Sequence, residues 1–191
     1  MKRLFVAFEM EEALRRSLSE EVAQFRRSLG EKAEAVRWVG AERYHMTAVF
    51  LGDTPEERIP KLKEILEATE LASTETVTLG APMVFPKPRS PRVLVRALSA
   101  GYEPLQRIAG DLRGALEQEG IDFDKKPFRP HVTVGYLRKR RTSLLKEITR
   151  FWVRQAWPEE PPGRVTNLIL FESVRRPDGP IHTALWKEKL T

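Results

Sequence analysis

The chain has 191 residues, 41% of them hydrophobic and 31% charged, and carries a net charge of +6. That is the composition of one soluble globular domain; it excludes a disordered or fibrous chain, and no apolar run approaches the ~20 residues that cross a bilayer. The absence of cysteine excludes thiol catalysis, disulfides and cysteine-held zinc, while the basic excess gives weak support for a polyanionic partner such as nucleic acid.

Residues 3–8 read as a first strand. Met1-Lys2-Arg3 imitates the start of a secretory signal, but the apolar stretch behind it is short and meets Glu9, Glu11 and Glu12 at once, so a cytoplasmic protein is expected. Over residues 11–29 the apolar positions Leu14, Leu18, Val22, Phe25 and Leu29 recur at helical spacing, with Gly30 as the stop. Residues 36–39 form a short strand and residues 44–51 a second. Thr54, Pro55 and Glu57 then predict a helix with Thr54 as its N-cap, carrying Ile59, Leu62, Ile65 and Leu66 on one face.

Residues 74–79 and 83–85 look extended, and the proline-rich stretch 86–91 is a turn or exposed loop ahead of a returning strand at 92–98. A third helix spans about 102–119, striped by Leu105, Ile108, Leu112 and Leu116 and stopped by Gly120. Residues 121–130 form a basic loop, and the strand from His131 is followed by the charge cluster 138–141. A helix at 143–151, a proline-rich loop at 155–163 and strands at 165–174 and 181–187, joined by a turn at 177–180, complete the chain. Strand, helix and His-x-Thr strand thus occur twice in the same order, which predicts two pseudo-symmetric α+β lobes within a single domain, residues 1–191.

The chemistry is carried by His45-Met46-Thr47 and His131-Val132-Thr133. Each opens a strand, and strand side chains alternate faces, so His and Thr of each motif point the same way. Two imidazoles that titrate near neutral pH can serve displacement at phosphorus, one activating the attacking oxygen and one protonating the leaving oxygen. The threonine hydroxyls can hold the non-bridging oxygens. A lone histidine on a strand is more often structural, and His182, which lacks the x-Thr spacing, is read that way. Two histidines without an acidic or cysteine companion are a poor match to any three-ligand metal site; no metal and no cofactor is expected.

These residues, with Arg3-Leu4-Phe5-Val6-Ala7, Trp38, Phe50-Leu51-Gly52, Phe128-Arg129-Pro130 and Leu185-Trp186, resemble the bacterial and archaeal RNA 2',3'-cyclic phosphodiesterases, or 2'-5' RNA ligases, of the two-histidine phosphoesterase superfamily. The resemblance covers essentially the whole chain. It implies a bilobal α+β fold, with two antiparallel-sheet lobes, helices on their outer faces and a central cleft. It also implies hydrolysis of a 2',3'-cyclic phosphate on RNA or a nucleotide to a 2'-phosphomonoester, with His45 as proton donor, His131 as proton acceptor and Thr47 and Thr133 orienting the phosphate. An arginine common in the family is Tyr136 here, leaving Arg129 and Arg138 as the candidates to replace it. Reversible 2'-5' ligation to a 5'-hydroxyl is expected as a second activity, and a monomer is the default. The alternatives are a phosphodiesterase for another cyclic or 2'-5' linked nucleotide, or a non-catalytic RNA-binding module.

Overall fold

The computed structural model describes residues 1–71, 76–87, 89–138, 142–158, 162–176 and 179–190. Parts of the expected extended stretch at 74–79, of the loops at 86–91 and 155–163, of the charge cluster at 138–141 and of the turn at 177–180 lie outside them. Among the described residues, eight strands and four α-helices follow one another as β1 (Lys2–Met10), α1 (Glu12–Leu29), β2 (Val36–Trp38), β3 (His45–Thr54), α2 (Ile59–Ala68), β4 (Thr78–Lys87), β5 (Ser90–Ala100), α3 (Glu103–Gln118), β6 (His131–Leu137), α4 (Thr142–Arg154), β7 (Val165–Val174) and β8 (Ile181–Lys189).

The strands form two four-stranded antiparallel sheets, ordered β3-β1-β7-β8 and β2-β6-β5-β4. Strand β1 is central in the first sheet, and Leu4, Phe5, Val6, Ala7 and Phe8 are all buried, as a strand covered on both faces requires. The two lobes are not the two halves of the chain, which is what the repeated strand–helix–strand order implies. Strand β2, from the first half, hydrogen-bonds to β6 in the second sheet, and β7 and β8, from the end of the chain, complete the first. One buried apolar cluster runs through both.

The helices lie outside the sheets. Helix α1 buries its Leu14, Leu18, Val22, Phe25 and Leu29 stripe. Phe25 meets Trp38 of β2 and Trp152 of α4 edge-on at 6.3 and 5.0 Å, and the Trp152 indole donates a hydrogen bond to the Met83 carbonyl of β4 at 3.1 Å. Helix α3 runs beside α2 and β3.

Helix α2 starts later than its sequence signature predicts. Thr54 stays paired with Lys2 at the end of β3, and its hydroxyl donates to the Gly52 carbonyl at 3.2 Å instead of capping a helix. Pro55 is extended, a 3-10 turn covers Glu56–Arg58, and α2 begins at Ile59 with Pro60 in its first turn. The ladder with β1 fixes Thr54 in a strand conformation, so the cap motif is overridden by sheet pairing.

A buried ion pair ties α1 to the second sheet. Arg96 of β5 is 1% exposed and pairs with Glu21, 9% exposed; its Nε–H also donates to the Gly80 carbonyl at 2.8 Å, and its guanidinium lies over Trp157. Replacing Arg96 by Met withdraws the cation from a nearly buried carboxylate, and urea unfolding is expected to show a loss of ~3–5 kcal/mol. The double variant Glu21→Leu/Arg96→Met should recover most of that loss; equal destabilisation by both variants would contradict the ion-pair account.

Candidate active site

Strand alternation sets the two motifs. Met46 and Ala48 of β3, and Val132 and Val134 of β6, are buried in the core, so the partly exposed His45, Thr47, His131 and Thr133 occupy the opposite faces. Strand β2 brings those faces together. It pairs with β6 in the register Trp38↔Gly135, and Val39 N–H donates to the Val134 carbonyl at 3.0 Å. The chain then makes the 3-10 turn Ala41–Arg43 and enters β3 at His45. Gly135 permits this close pairing, since a Cβ there would stand 2.6 Å from Val36 Cγ1. Cα atoms of β3 and β6 consequently lie within 8 Å, although no ladder joins these strands.

Both imidazoles are held in the same way. The Nδ1 of His45 is 2.7 Å from the Arg43 carbonyl and the Nδ1 of His131 is 2.5 Å from the Arg129 carbonyl, in each case two residues upstream. A carbonyl only accepts, so Nδ1 carries the proton and Nε2 is left with a lone pair when the ring is neutral. Each ring also rests on an aromatic neighbour, His45 on Phe5 at 5.1 Å and His131 edge-on against Phe85 at 4.6 Å.

Burial lowers the pKa of His45 to about 4; the Arg43 carbonyl opposes the shift, and the neighbouring His182 and His131 add to it. The pKa of His131 is lowered as well, by burial against the opposing Arg129 carbonyl. With no anion bound, both rings are neutral at pH 7, each presenting a basic Nε2.

His45 and His182 sit where three hollows meet. One, of about 410 Å³, takes in Thr47, Phe5, Phe50 and Tyr136 together with Arg3, Arg37, Arg175 and Arg176, and has no carboxylate in its lining among the described residues. A second, of about 700 Å³, lies on the side of Arg15, Arg43 and Phe171. A narrow neck between them includes Thr133 and Tyr136, so side chains of both sheets face the same space. The guanidinium groups of Arg37 and Arg43 converge here: an Nη1 of each lies 3.2 Å from the position a Cβ on Gly179 would occupy. Two like charges brought together are stabilised by an anion between them.

Of the residues singled out in the sequence, His45, Thr47 and Thr133 line these hollows, and His131 lies two residues from Thr133 on the same strand face. Arg129 contributes its carbonyl to His131, and its side chain is exposed. Arg138 lines a different depression, beside Arg26 and Arg27. The cations in the hollows around His45 are instead Arg3, Arg15, Arg37, Arg43, Arg175 and Arg176, of which Arg3 alone falls in a stretch singled out in the sequence.

His182, read from sequence as structural, meets His45 edge-on with ring centroids 5.6 Å apart and Phe5 at 4.9 Å. Its Nδ1 is buried without a hydrogen-bond partner among the described residues. Burial and the Arg43 cation lower its pKa. The only sequence signal is a third histidine at the start of the last strand, whose approach to His45 of the same sheet depends on the strand order.

Among the described residues, no three His, Cys, Asp or Glu side chains cluster as a metal site, and no helix is long and apolar enough to cross a membrane. The family model of the 2'-5' RNA ligase superfamily matches residues 14–176. The chain is 29% identical over 183 residues to the RNA 2',3'-cyclic phosphodiesterase of Archaeoglobus fulgidus, covering 96% of this chain and 97% of that one. Among solved structures, a protein of Thermus thermophilus superposes with a TM-score of 0.72 at 26% identity, covering 98% of this chain and 97% of the other. E. coli LigT complexed with NADP+ does so with a TM-score of 0.68 at 25% identity, covering 100% and 98%.

The depressed pKa of His45 links the site to stability. The unfolded chain takes up this proton near pH 6.5 and the folded chain only near pH 4, so the contribution is complete above about 6.5 and is lost as pH falls from there towards 4. Urea midpoints should therefore drop between pH 7.5 and pH 5, with His45 supplying at most ~1.4 kcal/mol per pH unit, and His45→Gln should flatten that dependence. A midpoint equally pH-dependent in both proteins would contradict the burial of His45.

Proposed function

The chain belongs to the 2'-5' RNA ligase superfamily, and on that premise we propose that it is a phosphodiesterase that opens a 2',3'-cyclic phosphate at the end of an RNA or nucleotide to a 2'-phosphomonoester. The observation that carries this reading is the matched pair of imidazoles, each with Nδ1–H tied to a carbonyl and Nε2 left for proton transfer. The likeness to the RNA 2',3'-cyclic phosphodiesterase of Archaeoglobus fulgidus and to LigT in its complex with NADP+ supports the same substrate class. The continuous buried core supports treating residues 1–191 as a single two-lobed domain.

In the proposed reaction the cyclic phosphate lies between the two histidines. His131 Nε2 removes a proton from water as its oxygen attacks phosphorus. The P–O3' bond breaks on the opposite side, and His45 donates its Nε2 proton to the departing O3', leaving the phosphate on O2'. Thr47 and Thr133 donate hydrogen bonds to the non-bridging oxygens, while Arg37 and Arg43 balance their charge. Phe5, Phe50 and Tyr136 line the hollow beside them and offer faces for the terminal base. His182, edge-on to His45 with an unpartnered Nδ1, faces the same substrate. With a 5'-hydroxyl in place of water, the same course makes a 2'-5' bond: His131 takes the hydroxyl proton, P–O3' breaks and His45 protonates O3'. Only the back reaction, in which O3' attacks and the 5'-oxygen leaves, exchanges the roles of the two histidines. No step uses a metal.

His45 with a pKa of about 4 is protonated in only ~10⁻³ of free molecules at pH 7, so the bound phosphate must raise its pKa, as a nearby opposite charge does. Hence kcat/KM should fall as pH rises above the depressed histidine range, while kcat holds to a higher pH. Coincident profiles would contradict the assignment.

A direct test is 2',3'-cyclic mononucleotide hydrolysis in excess EDTA. The expected result is a 2'-phosphate product, with His45→Ala and His131→Ala each losing ~10²–10⁴ in kcat. Absence of product, or undiminished turnover in either variant, would overturn the proposal.

A further inference from the structure

The chemistry above touches a larger basic feature only at Arg37. A trough of about 950 Å³ lies between the C-terminal end of α1 and the β2–β6 edge of the second sheet, and its walls carry Arg26, Arg27, Arg37, Trp38 and Arg138. Two carboxylates, Glu31 and Glu34, share the lining, so cations outnumber anions four to two. None of the four guanidinium groups is held in an ion pair among the described residues.

The trough is continuous with the cleft. Arg37 lines both the trough and the hollow containing His45 and Thr47, and Trp38 lines both the trough and the neck at Thr133. At the junction Tyr136 is 37% exposed with the Arg37 guanidinium over its ring at 4.8 Å. Arg26 and Arg27 also complement the dipole of α1. That role does not account for Arg37 and Arg138, which reach the same trough from another sheet strand and a following loop.

We propose that this trough holds the single-stranded RNA on the 5' side of the reacting terminus, which makes an oligonucleotide, not a mononucleotide, the preferred substrate. The inference rests on the phosphodiesterase reading. A 2',3'-cyclic phosphate is a 3' end, so the rest of the strand leaves the cleft in one direction only. The trough supplies unpaired guanidinium groups for its phosphates, and Tyr136 and Trp38 supply aromatic surface at its entrance.

The test compares a 2',3'-cyclic mononucleotide with a short oligoribonucleotide bearing the same terminus, using Arg26→Gln/Arg27→Gln, whose side chains are exposed and remote from the histidines. The wild type should favour the oligonucleotide in kcat/KM. The double variant should lose ~10-fold on it at low salt and lower the slope of log(kcat/KM) against log[salt] by about 1.4, at ~0.7 per phosphate contact. Its kcat/KM for the mononucleotide should not change, nor should its thermal midpoint account for the loss.

A wild type indifferent to strand length, or a variant that loses equally on both substrates, would overturn the trough assignment while leaving the phosphodiesterase reading intact. If neither substrate is turned over, the reading of the site fails instead. Fluorescence anisotropy with an oligoribonucleotide ending in a 3'-phosphate then judges the trough separately: tighter binding by wild type than by the double variant supports it, and equal binding overturns it.

Discussion

Everything proposed for this site depends on one hydrogen bond made twice. The Nδ1–H of His45 and of His131 is each bound by a carbonyl two residues upstream, which fixes the tautomer, holds the ring plane and leaves a single nitrogen to exchange protons. The bond costs the fold little, because the accepting carbonyl lies just outside the strand that the histidine opens. Without it, a partly buried imidazole has no preferred tautomer, and a residue proposed to accept a proton at Nε2 is in the wrong state for part of the time. Burial lowers the pKa of both rings, and in the proposed reaction protonation of the donor is therefore coupled to occupancy of the cleft.

The second constraint is topological. The sheets exchange strands: β2, which lies between β1 and β3 in the chain, joins the sheet of His131, and β7 and β8, from the end of the chain, join the sheet of His45. Strand β2 also leads directly into β3, so the pairing that completes the second sheet aims His45 at the cleft. The β7–β8 pair brings Arg175, Arg176 and His182 to the same place. In the proposed function the cost of gathering so many cations is offset when a phosphate binds; Arg43 is partly balanced by Glu42 at 3.2 Å, whereas Arg37 makes no ion pair among the described residues.

Much of this architecture is legible in the amino-acid sequence alone. Helices α1 and α3 follow from apolar stripes ended by glycine, and the His-x-Thr strands follow from alternation, because these are local patterns that packing leaves alone. The start of α2 departs from its signature because a local cap motif at Thr54 loses to a ladder with β1, formed by residues far away in sequence. The exchange of strands between lobes has no local signal. For the same reason, sequence points to Arg129 and Arg138, which lie beside the second motif in the chain, and misses Arg37, Arg43 and His182, which reach the cleft only through sheet order. Tyr136, where the family commonly has an arginine, sits under the guanidinium of Arg37, so the cation at that place comes from the neighbouring strand.

The central claim is that two neutral imidazoles with free Nε2 atoms become an acid–base pair around a phosphate. Nitrogen-15 NMR of the histidine side chains, with and without a 2'-phosphomononucleotide, tests it most directly. The account predicts that at pH 7 His45 and His131 are both neutral with the proton on Nδ1, and that saturating nucleotide raises the pKa of one of them by about a unit or more. A proton on Nε2 in either free ring, or titration near 6.5 that the nucleotide does not alter, would contradict it.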